Sequence, residues 1–325
     1  MKKKIFAAIC SVTMLAGTAA FAPDAVLFGS SDAIVAEAYS GYANGCHWEY
    51  EMDITGYRIT RCRNYQHLTS ITIPSVLFGT PVTAIDDNAF VSGGDSNCQY
   101  VETVTIPEGV YRIGNCFFQN CKKLKYVNFP SSLKLIGSYV FSGCSKLQNI
   151  NVPNNVERIG SRFCENATSL TSATLGTKLE MLGDYGFYGC SAMTSFSCPS
   201  QKITQFGYGS LWANRYADNY LATHNDLVLG SGTLLYRYVG SSSTVRYNNV
   251  KYVFDYAFGG DAWTGGSSVN NIYLPQATTF GTNAFKKVAG KNVHLNATVC
   301  RNAYGSNYKS IVENFCKPAI VKWDA

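Results

Sequence analysis

A chain of 325 residues holds either two ordinary domains or one long repeat array. With 46% hydrophobic and only 15% charged residues it has enough apolar surface to offset ordering entropy, which excludes a disordered chain. The formal charge of +6 is dispersed, with no run of five basic residues; this argues against nucleic acid as a partner and leaves a mild attraction to anionic cell-wall polymers or glycans.

Residues 1–38 read as a signal peptide. Met1 and Lys2 to Lys4 make a basic start, and Ile5 to Ala22 is apolar with many small residues. A cut after Ala22 would leave Pro23 first, which signal peptidases tolerate badly; Ala36-Glu37-Ala38 is the better site and releases Tyr39. The competing reading is a membrane anchor, for which the Ala, Gly and Thr content makes a weak span. The expectation is a secreted, extracellular chain associated with the cell surface, with no integral membrane anchor after cleavage.

Residues 39–66 read as an N-terminal cap. Trp48, Tyr50, Met52 and Ile54 alternate, Gly56 turns, and Tyr57, Ile59 and Cys62 alternate again, the pattern of a β-hairpin. Cys46 and Cys62 lie near its open end, either as a disulfide or as two free thiols.

Residues 67–210 are repetitive. Val101, Leu124, Leu147, Leu170 and Met193 open five units, each 23 residues after the last. The fourth and sixth residues of a unit are apolar and flank a polar one, as in Ile150-Asn151-Val152, the period of a short strand. Pro107, Pro130, Pro153 and Pro199 then end the strand, with Gly176 once in their place. A second apolar pair follows, such as Leu133 and Ile136 or Val156 and Ile159. Gly114, Gly137, Gly160 and Gly183 come next, where a tight turn is expected. Phe118, Phe141 and Phe187 close their units, with Cys164 at the matching position. No single coil can bury this many apolar residues, so stacked coils must share one core. Leu68 to Phe90 is a degenerate copy carrying an insertion at Leu77–Pro81, and Val91–Asn97 is a second insertion.

Two of these units, Leu68-Thr69-Ser70-Ile71-Thr72-Ile73-Pro74 with Ala89-Phe90, and Phe141-Ser142-Gly143-Cys144 followed by Leu147, resemble the BspA-like leucine-rich repeat class of bacterial cell-surface and secreted proteins. The likeness covers residues 67 to about 295. It implies a mainly β leucine-rich-repeat solenoid of eight or nine coils, roughly 40 Å long at about 4.8 Å per strand. It also implies adhesion or protein binding, and the motif carries no catalytic residues. Gly176, where Pro is usual, and Ala167, where Cys is usual, depart from the class.

Residues 211–240 interrupt the period. Trp212, Tyr216 and Tyr220 have helical spacing, and Leu227 to Val239 around Gly230-Ser231-Gly232 reads as a second hairpin. These aromatics serve either as packing or as a lateral binding feature. Residues 241–296 resume the repeats, with Val293 and Leu295 as the last strand. Residues 297–325 read as a C-terminal cap with a short helix over Tyr308 to Phe315. Cys300 and Cys316 flank that helix and are a second candidate disulfide pair.

Chemistry-bearing residues are sparse. Twelve Cys include no Cys-x-x-Cys pair, so zinc is not expected, and removal of the signal leaves an odd number. Cys98, Cys121, Cys144 and Cys190 share one position and form a column, read as small buried residues rather than a redox or metal ladder. The four His are scattered, and Asp86-Asp87 belongs to a repeat turn. An enzyme is therefore not expected, nor is any cofactor or metal. The functional candidate is a face. The third and fifth residues of each unit should point outward: Ser70 and Thr72, Thr103 and Thr105, Tyr126 and Asn128, Asn149 and Asn151, Ser172 and Thr174, Ser195 and Ser197. Such rows suit hydrogen bonding to an extended extracellular protein or glycan; the plainer alternative is a solvated face that only resists aggregation. At the level of the whole protein, the alternative to a binding role is a spacer or scaffold in a surface assembly with no ligand of its own.

Overall fold

The computed structural model describes residues 38–63, 67–90, 99–224, 226–254, 256–258, 269–281, 283–286 and 288–324. The expected signal peptide up to residue 37, the insertion at Val91–Asn97 and Cys98 lie outside them. No helix among the described residues is long and apolar enough to cross a membrane.

The chain winds into a β-solenoid of about 9 turns. Each regular coil contributes two short strands to two parallel sheets. Asn149–Asn151, Ser172–Thr174 and Ser195–Ser197 pair in one, and Leu135–Ile136, Arg158–Ile159 and Met181–Leu182 in the other. Successive partners are 23 residues apart, so Ile150 faces Ala173 and then Phe196. Alternation along each strand turns these central residues inward, where all three are buried. Every coil thus contributes several fully buried apolar side chains, each worth about 1.5–3 kcal/mol relative to exposure.

The glycine after the second strand has a different cause from the tight turn expected of it. Gly160 and Gly183 have no left-handed backbone. A Cβ on Gly160 would lie 2.5 Å from the Ser138 nitrogen, and one on Gly183 would lie 2.4 Å from the Ser161 nitrogen. The residue is small because the neighbouring coil's backbone occupies the space. Close approach also sets up a side-chain ladder. Asn115 N donates to Asp87 Oδ1, Ser138 N to Asn115 Oδ1, and Ser161 N to Ser138 Oγ. Asp184 N then donates to Ser161 Oγ and Tyr208 N to Asp184 Oδ1.

A phenylalanine ladder fills the interior behind the corner. Its member at the third regular coil is Phe163 rather than Cys164. The Phe163 ring lies 5.4 Å from Phe141 and 5.9 Å from Phe187, centre to centre. Alignment by position put Cys164 there; a corner that turns as sharply as this one brings either of two adjacent side chains to the axis.

At the N-terminus the expected hairpin is a three-stranded meander, Ala38–Ala43, Cys46–Met52 and Tyr57–Arg63. Its last strand runs parallel to Thr80–Ile85 and so enters the second sheet. Trp48 is fully buried, donates its indole N–H to Ala43 O, and packs edge-on against Phe90.

In the interruption, helix α1 (Arg215–Thr223) starts at Asn214, whose Oδ1 accepts from the N–H groups of Tyr216 and Ala217. Asp226–Leu229 and Leu234–Tyr238 form the hairpin, and every residue of the second strand is buried. That strand pairs parallel with Tyr252–Val253, so the hairpin is spliced into the array. Tyr236 packs on Phe206 and Phe254. Of the three helically spaced aromatics, Trp212 precedes the helix, Tyr216 packs on Phe196, and all three are half-buried.

Asn292–Asn296 is not the last strand. Helices α2 (Ala297–Tyr304) and α3 (Tyr308–Cys316) follow, and Ile320–Asp324 then pairs parallel with Asn292–Asn296. The two helices lengthen the connection and remove the 23-residue spacing that would have marked this strand.

Candidate binding face

In-register parallel pairing stacks the outward residues into two columns. One runs Ser70, Thr103, Tyr126 and then Asn149, Ser172, Ser195; the other runs Thr72, Thr105, Asn128 and then Asn151, Thr174, Ser197. The coil-to-coil bond from Gln148 N to Lys125 O carries the stack across the join between the two runs. Thr103, Thr105 and Ser172 are half-buried and the other nine are exposed. Asn128 Nδ2 donates to Thr105 Oγ1 at 3.1 Å, and the Tyr126 hydroxyl donates to Gln148 Oε1 at 2.7 Å. Apart from Tyr126 these side chains are short; all are uncharged and fixed to a hydrogen-bonded backbone, so little rotamer freedom is lost when they bind a partner.

The same face continues beyond the helix and hairpin with different chemistry. Thr244–Arg246, Asn271–Tyr273, Asn292–Asn296 and Ile320–Asp324 form a four-stranded parallel sheet. Its register lines up Arg246, Tyr273, His294 and Lys322. The Arg246 guanidinium sits 3.7 Å from the Tyr273 ring centre, and the His294 ring stacks on Tyr273 at 4.1 Å. His294 Nδ1 stands 3.4 Å from Asp324 Oδ1, and its Nε2 stands 3.4 Å from Asn271 Oδ1. Sequence reasoning missed this group, although Val245, Ile272 and Val293 carry the same inward signal as the regular strands.

Of the ten described cysteines nine are buried and Cys116 is half-buried. Cys121, Cys144 and Cys190 are fully buried, and Ala167 holds the same place in the intervening coil. Cys144 Sγ donates to Phe118 O and Cys190 Sγ to Cys164 O. Burial pushes the Cys190 thiol up to about 12, so it serves as a small protonated donor. Cys46 and Cys62 are brought within hydrogen-bond reach as thiols; the Cys62 contact lowers Cys46, and burial holds Cys62 well above the ordinary thiol range. Cys300 and Cys316 are likewise buried thiols, and Cys316 is raised by burial and then by Cys300.

Asp86 belongs to an ion cluster. Arg58 Nε lies 3.2 Å and Arg112 Nη1 3.9 Å from its carboxylate, while Arg112 also reaches Asp87 at 3.7 Å. Burial raises Asp86 and the two arginines oppose the rise. Asp87 meanwhile accepts from Asn115, which ties both carboxylates into the coil stack.

Residues 83–216 match, in six copies, the family described as BspA type leucine rich repeat region. The regular array is of the BspA type. No curated protein matches the chain. Among solved structures, the chain is similar to the T. pallidum leucine rich repeat protein at 22% identity. That likeness covers 55% of this chain and 94% of that one, with a TM-score of 0.41. A leucine rich cell surface protein from Faecalibacterium prausnitzii is 16% identical over 88% of this chain and 95% of that one, with a TM-score of 0.44. A leucine-rich repeat protein from Eubacterium ventriosum is 26% identical over 52% and 48% respectively, with a TM-score of 0.39.

Proposed function

We propose that this chain is an exported binding protein whose outward strand face engages an extended protein or glycan, and that it acts by binding rather than by catalysis. The observation that carries this reading is the pair of outward columns. From Ser70 to Ser197 the solenoid needs only the inward residues for its core, yet the outward ones form continuous rows of hydroxyls and amides. Such rows match the repeating donors and acceptors of an extended chain. The basic and apolar start of the sequence supports export, and the BspA-type array supports a place at the bacterial surface.

An array of matrix proteins and cell-wall glycans probed with residues 39–325 tests the reading. The expected outcome is a ligand whose affinity falls when Tyr126, Asn128, Asn149 and Asn151 are replaced by Lys or Glu. An affinity that survives those replacements removes the strand face as the site.

A further inference from the structure

A second surface stands out at the corner where each coil leaves its second strand. Tyr139, Arg162 and Tyr185 occupy equivalent positions 23 residues apart, and each has a left-handed backbone with φ of 60, 56 and 57°. Tyr256 holds the same conformation at 60°. Side chains with a Cβ are disfavoured there, and large ones find no relief. The same fold supplies its own control. Asn88 takes this position at φ 60° in an earlier coil, and the next left-handed column is filled by Asn120, Gly143, Asn166 and Gly189. The corner can therefore be built from the small residues that favour it, yet several coils place a Tyr or Arg.

Those side chains are not needed to close the core. Phe141, Phe163 and Phe187 are fully buried behind them, whereas Tyr139, Tyr185, Tyr208, Trp212 and Tyr256 are only half-buried. The outer rings form a continuous strip. Arg162 lies 5.7 Å from the Tyr139 ring centre and 4.9 Å from that of Tyr185. Tyr185 meets Tyr208 at 5.6 Å, and Tyr208 meets Tyr256 at 5.4 Å and Trp212 at 4.5 Å. At about 4.8 Å per coil step, the strip from Tyr139 to Tyr256 is at least roughly 20 Å long. Arg162 is paired with Glu165 at 2.5 Å, which neutralises the charge in its middle.

We propose that the strip from Tyr139 to Tyr256 is a second binding site, and that it takes an extended neutral glycan of equatorially linked pyranose units. A line of rings spanning several coils fits a chain rather than a single sugar. Pyranose rings in such a chain present flat C–H faces to aromatic rings and hydroxyls at their rims, where tyrosine hydroxyls donate and accept. With the Arg162 charge paired and Lys286 confined to the Tyr256 end, 5.5 Å from that ring centre, the middle of the strip gives a charged polymer little reason to bind. The site uses a different segment of each coil from the outward strand columns, so it stands or falls independently of the strand-face reading.

The test uses residues 39–325 in native gels containing hydroxyethyl cellulose, with cellohexaose titrated against tryptophan fluorescence, to which Trp212 beside Tyr208 contributes. Retardation of the wild-type chain and a saturable fluorescence change are expected. Single Y139N, Y185N and Y256N variants keep a side chain that tolerates the corner, as Asn88 does. Each should weaken cellohexaose binding by about threefold to tenfold, the loss of one aromatic contact. The triple variant should show no retardation while keeping a cooperative thermal transition, and Y185F, which keeps the ring and loses only the hydroxyl, should bind more tightly than Y185N and more weakly than wild type. Strand-face variants at Asn149 and Asn151 should leave the retardation unchanged. No retardation of the wild-type chain, retardation that persists in the single and triple Asn variants, or retention instead on a proline-rich peptide would each overturn the proposal.

Discussion

The outward strand face carries two chemistries on one backbone pattern. Between Thr103 and Ser197 its exposed positions are Thr, Tyr, Asn and Ser, joined by single hydrogen bonds such as Asn128 to Thr105. Between Thr244 and Asp324 they include Arg246, Tyr273, His294 and Lys322, the first three joined by a cation–π contact and a ring stack. The inward residues are interchangeable between the two regions: Ile150, Ile272 and Val293 are all buried. The solenoid thus fixes the inside of each strand and leaves the outside free to differ.

The largest effects should come from the inside of the regular region. Gly160→Ala forces a Cβ onto the backbone of the preceding coil, and roughly 3 kcal/mol or more of stability should be lost in urea denaturation, the upper end of overpacking. Gly290→Ala in the C-terminal region has open space around it and only a left-handed backbone to strain, so about 1–2 kcal/mol is expected. Equal costs would mean that coil stacking is no tighter in the regular region.

A comparable gain should follow oxidation of the N-terminal cap. Cys46 and Cys62 are in hydrogen-bond reach, and a disulfide closing a loop of this length stabilises by about 3 kcal/mol. Peptide mapping of the chain exported to an oxidising compartment should recover the Cys46–Cys62 peptide pair; two alkylated thiols would refute it.

On the outside the contrast is smaller and reversed. Tyr273→Ala removes both the Arg246 and His294 contacts and should cost about 1–2 kcal/mol. Asn151→Ala should stay within about 0.5 kcal/mol. If both are silent, the C-terminal group adds nothing to stability.

The smallest effect concerns alkaline pH. The Cys190 thiol is raised in the folded chain, so the fold favours its protonated form. That contribution is complete below the unfolded thiol value near ~8.5 and is lost as pH climbs toward about 12. Urea midpoints should fall over that window, and Cys190→Ala should flatten the fall slightly, with little cost at neutral pH because Ala167 already fills the equivalent place.

The regular region was legible because stacking imposes one length on every coil, so inward and outward positions recur every 23 residues. What stayed hidden has the opposite cause. Arg246, Tyr273, His294 and Lys322 are adjacent only through strand pairing, across connections of unequal length, so no fixed spacing reveals them. Phe163 was missed because a tight corner admits either neighbour to the interior. The final strand was missed because two helices precede it. The twelve columnar residues were readable from alternation alone, since a short strand has only one way to face.

The side-chain ladder from Asp87 through Asn115, Ser138, Ser161 and Asp184 also bears on how such a chain changes over time. Every rung is an oxygen of one coil accepting an N–H of the next, and Ser138 and Ser161 present the same oxygen at the same place. Excising residues 139–161 joins Ser138 to Arg162 and leaves Ser138 Oγ to receive the Asp184 N–H. The junction then has the same bonds as before. Whole coils are thus a unit of gain and loss, and the array can be counted up or down while the ladder keeps its bonds.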